Sequence, residues 1–224
     1  MPLKLVCFDL DGLLVDTEPH YYESHRLVWA EYGLDLTREY YARTWIIRGT
    51  RIADEVAKAG IPDRWETVLE KVRDKYHALV AADLRLMPFA RETLESAHSL
   101  GKTALVTNTP AEDVSMILGR LALVGLLDIV VSRERYVRAK PEPDCYLAAM
   151  REAGTGPGET VALEDSPRGI RASIAAGVPV VAVVNEMTSY EPPVGAFLVL
   201  KNLSELDLGR LASAWPPLAS GKAE

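Results

Sequence analysis

The sequence predicts an α/β protein built on a doubly wound parallel sheet, with a block of helices inserted near its start. Three observations carry that prediction. Short apolar runs rich in Val, Ile and Leu alternate with helix-length amphipathic segments, the pattern of a parallel sheet covered on both faces. Gly101, Gly154 and Gly177 follow three of those segments, where helix stop signals belong. From about residue 17 to 86 the pattern is helical, with no convincing buried strand. At 224 residues the chain has room for one sizeable core and such an insert.

In chain order, the first strand is Leu5–Phe8, an apolar run that ends in two carboxylates. Helical patterns follow over residues 19–32, 38–44, 51–59 and 65–80, and Pro88 marks the return to alternation. Helix Ala90–Leu100 precedes strand 103–106, and helix 111–121 precedes strand Ile129–Val131. Helix 143–153, strand 161–163, helix 168–176 and strand 180–184 continue the rhythm, with a weaker strand at 197–200. The tail at 219–224 is expected to fray. These boundaries predict a core from residues 1–16 and 87–224 and a helical domain over 17–86.

The net charge of −7 and the lack of a Lys/Arg block argue against nucleic-acid binding. A small anionic substrate remains compatible, because local cations and a metal outweigh a weakly acidic surface. Asp9 and Asp11 interrupt the apolar stretch near the start, so no signal peptide is expected. The run 178–184 contains Pro179 and is far too short to cross a bilayer. Cys7 and Cys145 belong to no Cys-x-x-Cys pattern and read as buried thiols. The expectation is a cytoplasmic protein without membrane contact, and a monomer.

Asp9 and Asp11 stand one residue apart at the end of the first strand, followed by Gly12. If the chain turns there, both acids converge at the strand's carboxyl end, where open parallel sheets place ligands. Two acids in one crevice repel, so a bound cation or a raised pKa is required. Three further features fall at expected strand ends. Val106-Thr107-Asn108-Thr109 supplies hydroxyls and an amide. Lys140 lies in a loop stiffened by Pro141 and Pro143. Glu164-Asp165-Ser166 closes another strand with two acids, and Ser166 suits a helix cap. Asp16 reads as a cap or orienting residue, and Asp144 as a brace for the Lys140 loop. His77 and His98 read as helix-surface residues, and Trp29, Trp45, Trp65 and Trp215 as packing anchors.

These four parts, in order, resemble the haloacid dehalogenase superfamily: Asp9-x-Asp11-Gly12-x-x-x-Asp16, Thr107, Lys140-Pro141-x-Pro143-Asp144, and Glu164-Asp165-Ser166 with Gly169 and Ala176-Gly177. The likeness is to the phosphatase and β-phosphoglucomutase-like branch, and it spans nearly the whole chain. It implies a Rossmann-like core, a helical cap over 17–86, and hydrolysis of a small phosphate monoester of a sugar or related metabolite. Asp9 would then be the nucleophile that becomes an aspartyl phosphate, and Asp11 the general acid and base. Mg²⁺ would sit among Asp9, the Asp11 carbonyl and Asp165, with Glu164 as a ligand or just behind one. Thr107 and Asn108 would hydrogen-bond the phosphoryl group, and Lys140 would neutralise it and Asp9.

Departures from the family pattern narrow the reading. Asp11 argues against dehalogenation, which needs no proton donor. No cap lysine is marked as a Schiff-base former. The mutase branch carries a histidine where this chain has Tyr21, with His20 one residue early, and its cap arginine is out of step with Arg51. One residue on a helix turns a side chain by roughly 100°, so a phosphatase is expected over a mutase. Glu18, Tyr21, Arg48, Thr50 and Arg51 are the cap-side candidates for the leaving group. Phe89 stands where the family commonly has Gly. A catalytically idle binding protein on the same fold is the rival of a different class.

Overall fold

The computed structural model describes residues 2–215; the predicted frayed tail at 219–224 lies outside them. Six parallel strands form one sheet in the order β3-β2-β1-β4-β5-β6. They are β1 (Leu5–Phe8), β2 (Lys102–Val106), β3 (Ile129–Val131), β4 (Thr160–Glu164), β5 (Val180–Val183) and β6 (Leu198–Leu200). The order reverses at β1, which pairs with β2 on one side and β4 on the other. A ligand crevice belongs at that switch point, outside the strands' carboxyl ends.

Why the strands are apolar throughout follows from the layers. All four β1 residues are buried, and their side chains alternate faces. Val6 and Phe8 pack with Leu94 and Ala97 of α5 (Ala90–Leu100), Ile117 of α6 (Ala111–Arg120) and Leu208 of α9 (Leu208–Ser213). Leu5 and Cys7 pack on the other face with Tyr146 and Ala149 of α7 (Asp144–Ala153) and Ile170 of α8 (Pro167–Ala175). Each fully buried large side chain, such as Phe8 or Leu105, contributes about 1.5–3 kcal/mol. Trp215 joins the first layer, as expected of an anchor.

Between β1 and α5 the chain forms a helical insert: α1 (Glu18–Glu31), α2 (Arg38–Tyr41), a π-helix (Ala42–Ile47), α3 (Ile52–Lys58) and α4 (Trp65–Ala82). It has an apolar cluster of its own, including Val28, Trp29, Ile46, Val56, Val68 and Val72. The segments leading into and out of it run side by side. Val15 bridges Leu86, Asp16 N–H donates to Arg85 O, and Met87 N–H donates to Leu14 O. His77, read as a surface residue, reaches from α4 to the buried Asp113 of α6 at 2.7 Å.

Two sequence expectations change here. The helix over 38–44 does not stay α-helical; it widens into the π-turn, with Arg48 N–H donating to Arg43 O. Trp65 is 42% exposed rather than an anchor, because it opens α4 beyond the stripe that Val68, Val72, Tyr76 and Val80 bury.

Candidate active site

Sheet register delivers the first acid. Asp9 N–H donates to Leu163 O at 3.1 Å, continuing the β1–β4 ladder by one residue and leaving the Asp9 side chain at the crevice. The chain then turns at Gly12, whose φ of 77° favours glycine. A Cβ there would also collide with Asp165 Oδ2. Gly12 is therefore what lets the Asp9–Asp11 loop and the β4 end close on each other. Asn185 ties them together, donating to Gly12 O at 3.1 Å and Asp165 Oδ2 at 2.7 Å.

Lys140 is the electrostatic hub. Its Nζ donates to Asp9 Oδ1 at 2.7 Å, Glu164 Oε1 at 2.6 Å and Val106 O at 2.8 Å, and it is only 4% exposed. Burial disfavours its ammonium, yet the Asp9 and Glu164 carboxylates outweigh that cost and hold its pKa well above the usual lysine range. Removing one partner of such a buried pair costs about 3–5 kcal/mol. The Lys140 loop is held by Arg138, which pairs with Asp144 at 2.7 Å, and by Lys140 N–H donating to Asn108 Oδ1 at 3.1 Å.

Asp11 lives differently from Asp9. It meets hydroxyls rather than a cation: Thr17 donates to Oδ1 at 2.6 Å, and Thr109 donates to Oδ2. Burial first, then the neighbouring Asp9, push its pKa up to about 6, against the pull of both threonines. Thr107 lies behind Thr109, accepting its N–H and donating to its hydroxyl, both at 3.1 Å. Asn108 Oδ1 also accepts the Tyr136 hydroxyl at 2.8 Å, so its oxygen is spent and its nitrogen is the end available to a ligand.

Asp9, Glu164 and Asp165 present oxygens that all lie within 4.8 Å of one another. Glu164 Oε1 takes both Lys140 and the Tyr146 hydroxyl, while Oε2 packs against Gly169, where a Cβ would collide. Glu164 Oε2 and Asp165 Oδ1 are buried without hydrogen-bond partners. Burial and the adjacent Asp9 and Glu164 raise the Asp165 pKa. The cluster is short of positive charge, and its hard oxygen donors fit a divalent cation.

A cleft of about 280 Å³ opens over these groups. Asp9, Asp11, Thr107, Asn108, Lys140 and Asp165 line its floor, and Ser166 lies at its edge while capping α8 through Gly169 N–H. From the insert, Glu18 and Tyr21 reach it. Arg48, Thr50 and Arg51 do not line it, contrary to their selection from sequence: Arg48 is exposed, and Arg51 pairs with Asp54 at 80% side-chain exposure. Arg48 caps the π-turn, and Thr50 and Arg51 lie past Gly49 in the connection to α3, an arrangement that residue counting along one helix misses. Missed in their place are His25, Tyr41, Trp45, Ile46 and Arg168. His25 was legible, since 18, 21 and 25 share one helical face; Trp45 lies within the π-turn, and Tyr41 ends α2 just before it.

Comparisons with known proteins place the chain in a family. Residues 6–183 match the model of the family described as haloacid dehalogenase-like hydrolase. The chain belongs to that family. Among similar proteins, a phosphorylated carbohydrates phosphatase of Thermotoga maritima is 32% identical over 180 residues, covering 79% of this chain and 82% of that one. Hexitol phosphatase B of Escherichia coli is 30% identical over 206 residues, covering 89% and 92%. The crystal structure of CbbY from Rhodobacter sphaeroides in complex with phosphate shares the fold, with a TM-score of 0.78, 24% identity and coverage of 91% and 96%. No helix among the described residues is long and apolar enough to cross a membrane.

Proposed function

We propose that this haloacid dehalogenase-like hydrolase is a Mg²⁺-dependent phosphatase of small phosphorylated metabolites, working through an aspartyl phosphate on Asp9, with the helical insert as its cap. The observation that carries this reading is the unequal treatment of the two aspartates. Asp9 accepts the Lys140 ammonium at 2.7 Å, whereas Asp11 sits among hydroxyls with a pKa pushed up to about 6. One is suited to attack and the other to deliver a proton.

With Lys140 on Oδ1, Asp9 Oδ2 attacks phosphorus and the ester P–O bond breaks. Asp11 gives its proton to the departing oxygen. It then takes a proton from water, whose oxygen attacks the phosphorus of the aspartyl phosphate, releasing inorganic phosphate and restoring Asp9. Lys140 and the Asn108 amide nitrogen face the negative charge of the transferring group. Asp9, Asp165 and the Asp11 carbonyl would hold Mg²⁺; Glu164, with Oε1 already committed to Lys140 and Tyr146, suits a supporting place. When bound, Mg²⁺ supplies charge neutralisation to the phosphoryl oxygens.

Phosphatase relatives support hydrolysis over the alternatives. The mutase alternative loses support on the insert side, where Tyr21 lines the cleft while His20 Nδ1 pairs with Asp16 O at 3.1 Å. The idle-binder reading leaves the paired Asp9, Lys140 and Asp165 without a use. The test is phosphate release from p-nitrophenyl phosphate and sugar phosphates, before and after chelation and Mg²⁺ add-back. Activity is expected to vanish in EDTA and return with Mg²⁺. With β-glucose 1-phosphate and its bisphosphate primer, phosphorus NMR is expected to show inorganic phosphate. Faster conversion to glucose 6-phosphate would make the enzyme a mutase.

A further inference from the structure

Helix α8 carries a cation where a helix start does not favour one. Ser166 caps the helix through Gly169 N–H, and Arg168 falls in its first turn, at the positive end of the helix dipole. Arg168 is half-buried and lines the cleft, and it has no carboxylate partner among the described residues. Arg171 follows it on the same face of the helix. Burial and that second cation hold the Arg168 pKa below the usual arginine range. Local preference therefore does not account for an arginine here, and such a break points to a functional or tertiary role.

Its partners are backbone groups on both sides of the cleft. Nε and Nη2 both donate to Lys140 O, the former at 3.1 Å, so the fork grips one carbonyl of the core. Nη1 donates to Trp45 O, in the π-helix of the insert, at 3.4 Å. Gly49, just past that π-helix, has a φ of 66°, and a Cβ there would stand 2.6 Å from Arg168 Cζ. The space that a side chain would fill is where the guanidinium lies. Arg171 also holds the end of the π-helix, donating to Ile47 O at 3.0 Å, but its other partner is Glu191.

Every polar group of Lys140 is thereby held. Its N–H goes to Asn108, its Nζ to Asp9, Glu164 and Val106 O, and its carbonyl to Arg168. Of these partners, only Arg168 also bonds the insert among the described residues. We propose that Arg168 is a positioning residue that couples the seating of the insert over the cleft to the placement of Lys140 against Asp9. With the insert seated, Trp45 O and the gap at Gly49 fix the guanidinium, and the guanidinium fixes the Lys140 carbonyl. The inference rests on the phosphatase reading above, in which Lys140 faces the transferring group. Misplacement of such a group by about 1 Å costs up to about 10²-fold in rate.

The experiment compares Arg168→Ala with Arg171→Ala in the full-length enzyme with Mg²⁺. Both variants release a π-helix carbonyl, and only the first also releases Lys140 O. On saturating p-nitrophenyl phosphate, kcat is expected to fall by about tenfold or more in Arg168→Ala and to stay within about twofold of the parent in Arg171→Ala. Hydrogen exchange read by mass spectrometry is expected to quicken in both the 42–51 and the 136–146 segments of Arg168→Ala. In Arg171→Ala it is expected to quicken in the 42–51 segment alone. Equal kcat losses in the two variants, or faster exchange in only one segment of Arg168→Ala, overturns the coupling. A raised KM with unchanged kcat overturns it too, making Arg168 a substrate contact. Arg168→Lys keeps the cation without the fork and replaces the alanine variant if that does not fold; parent-like kcat there overturns the proposal. Parent activity matched by Arg168→Ala sinks this inference alone. No release by the parent from any ester sinks the phosphatase reading and this inference with it.

Discussion

The two sides of the cleft are built by different rules. On the strand side, Asp9, Thr107, Glu164 and Asp165 stand at or just beyond the ends of β1, β2 and β4. The sheet ladder fixes them: Asp9 N–H bonds Leu163 O, and Thr107 N–H bonds Val131 O, each at 3.1 Å. Lys140 then links Asp9 to Glu164 through a buried ammonium. On the helical side, rings stack on rings, and the register passes through a π-turn. Charge held by a sheet gives chemistry that tolerates little displacement; aromatic packing on helices gives a surface that changes with one residue of slippage. That difference accounts for one side carrying recognisable motifs and the other carrying none.

The largest effect that can break this comparison lies on the strand side. Asp9→Asn keeps the shape and removes the proposed nucleophile, so kcat is expected to fall by about 10³-fold or more with an unchanged circular dichroism spectrum. Mass spectrometry of the quenched enzyme is expected to lose any phosphoryl adduct. Substantial activity in a contaminant-free preparation would mean that the chemistry does not start at Asp9.

On the helical side the corresponding probe is pH rather than rate. Burial depresses the His25 pKa from 6.5 to about 4. Between those values the unfolded chain binds the proton and the folded one does not, so stability is full above about pH 6.5 and drains away as pH falls toward 4. The loss attributable to this ring is roughly 3 kcal/mol. Urea midpoints measured from pH 7 to pH 4 are expected to drop less steeply in His25→Phe than in the parent. Parallel profiles would show that the ring is solvated and the helical side less closed than its packing indicates.

The smallest effect sharpens the contrast at the return from the insert to the core. Phe89 adopts a left-handed φ of 64° and is half exposed, at a position where the family commonly has Gly. Phe89→Gly relieves that strain and is expected to stabilise the protein by about 0.5–1 kcal/mol, read as a higher Tm. A lower Tm would show that the Phe89 ring contributes more through packing than its backbone costs.

Much of the strand side was legible in the sequence because its information is local. A buried strand, an acid pair and Gly12 in one short segment announce a turn at a sheet end, and Lys140 followed by Pro141 and Pro143 announces a held loop. The strand boundaries agree to within a residue or two for the same reason: alternation into two apolar layers leaves little freedom. Tyr146 and Asn185 were not legible, since each acts through a partner far away in sequence, Glu164 and Asp165 respectively.

By itself, then, the sequence determined the alternation of strands and helices, the helical character of the insert, and which residues gather at the strand ends. Continuous apolar runs, near-3.6-residue patterns, turn glycines and short motifs are properties of neighbouring residues, and local sterics read them directly. Only the tertiary structure decided which side chains of the insert face the crevice. The π-turn at Ala42–Ile47 carries Trp45 and Ile46 to the cleft, Tyr41 reaches it from the end of α2, and Arg48 and Arg51 fall outside the lining. A helix widens in that way when its packing partners favour it, here the aromatic cluster with His25 and the guanidinium groups of Arg168 and Arg171 on Trp45 O and Ile47 O. Those partners come from two distant stretches of chain, α1 and α8, so no local pattern could have announced the choice.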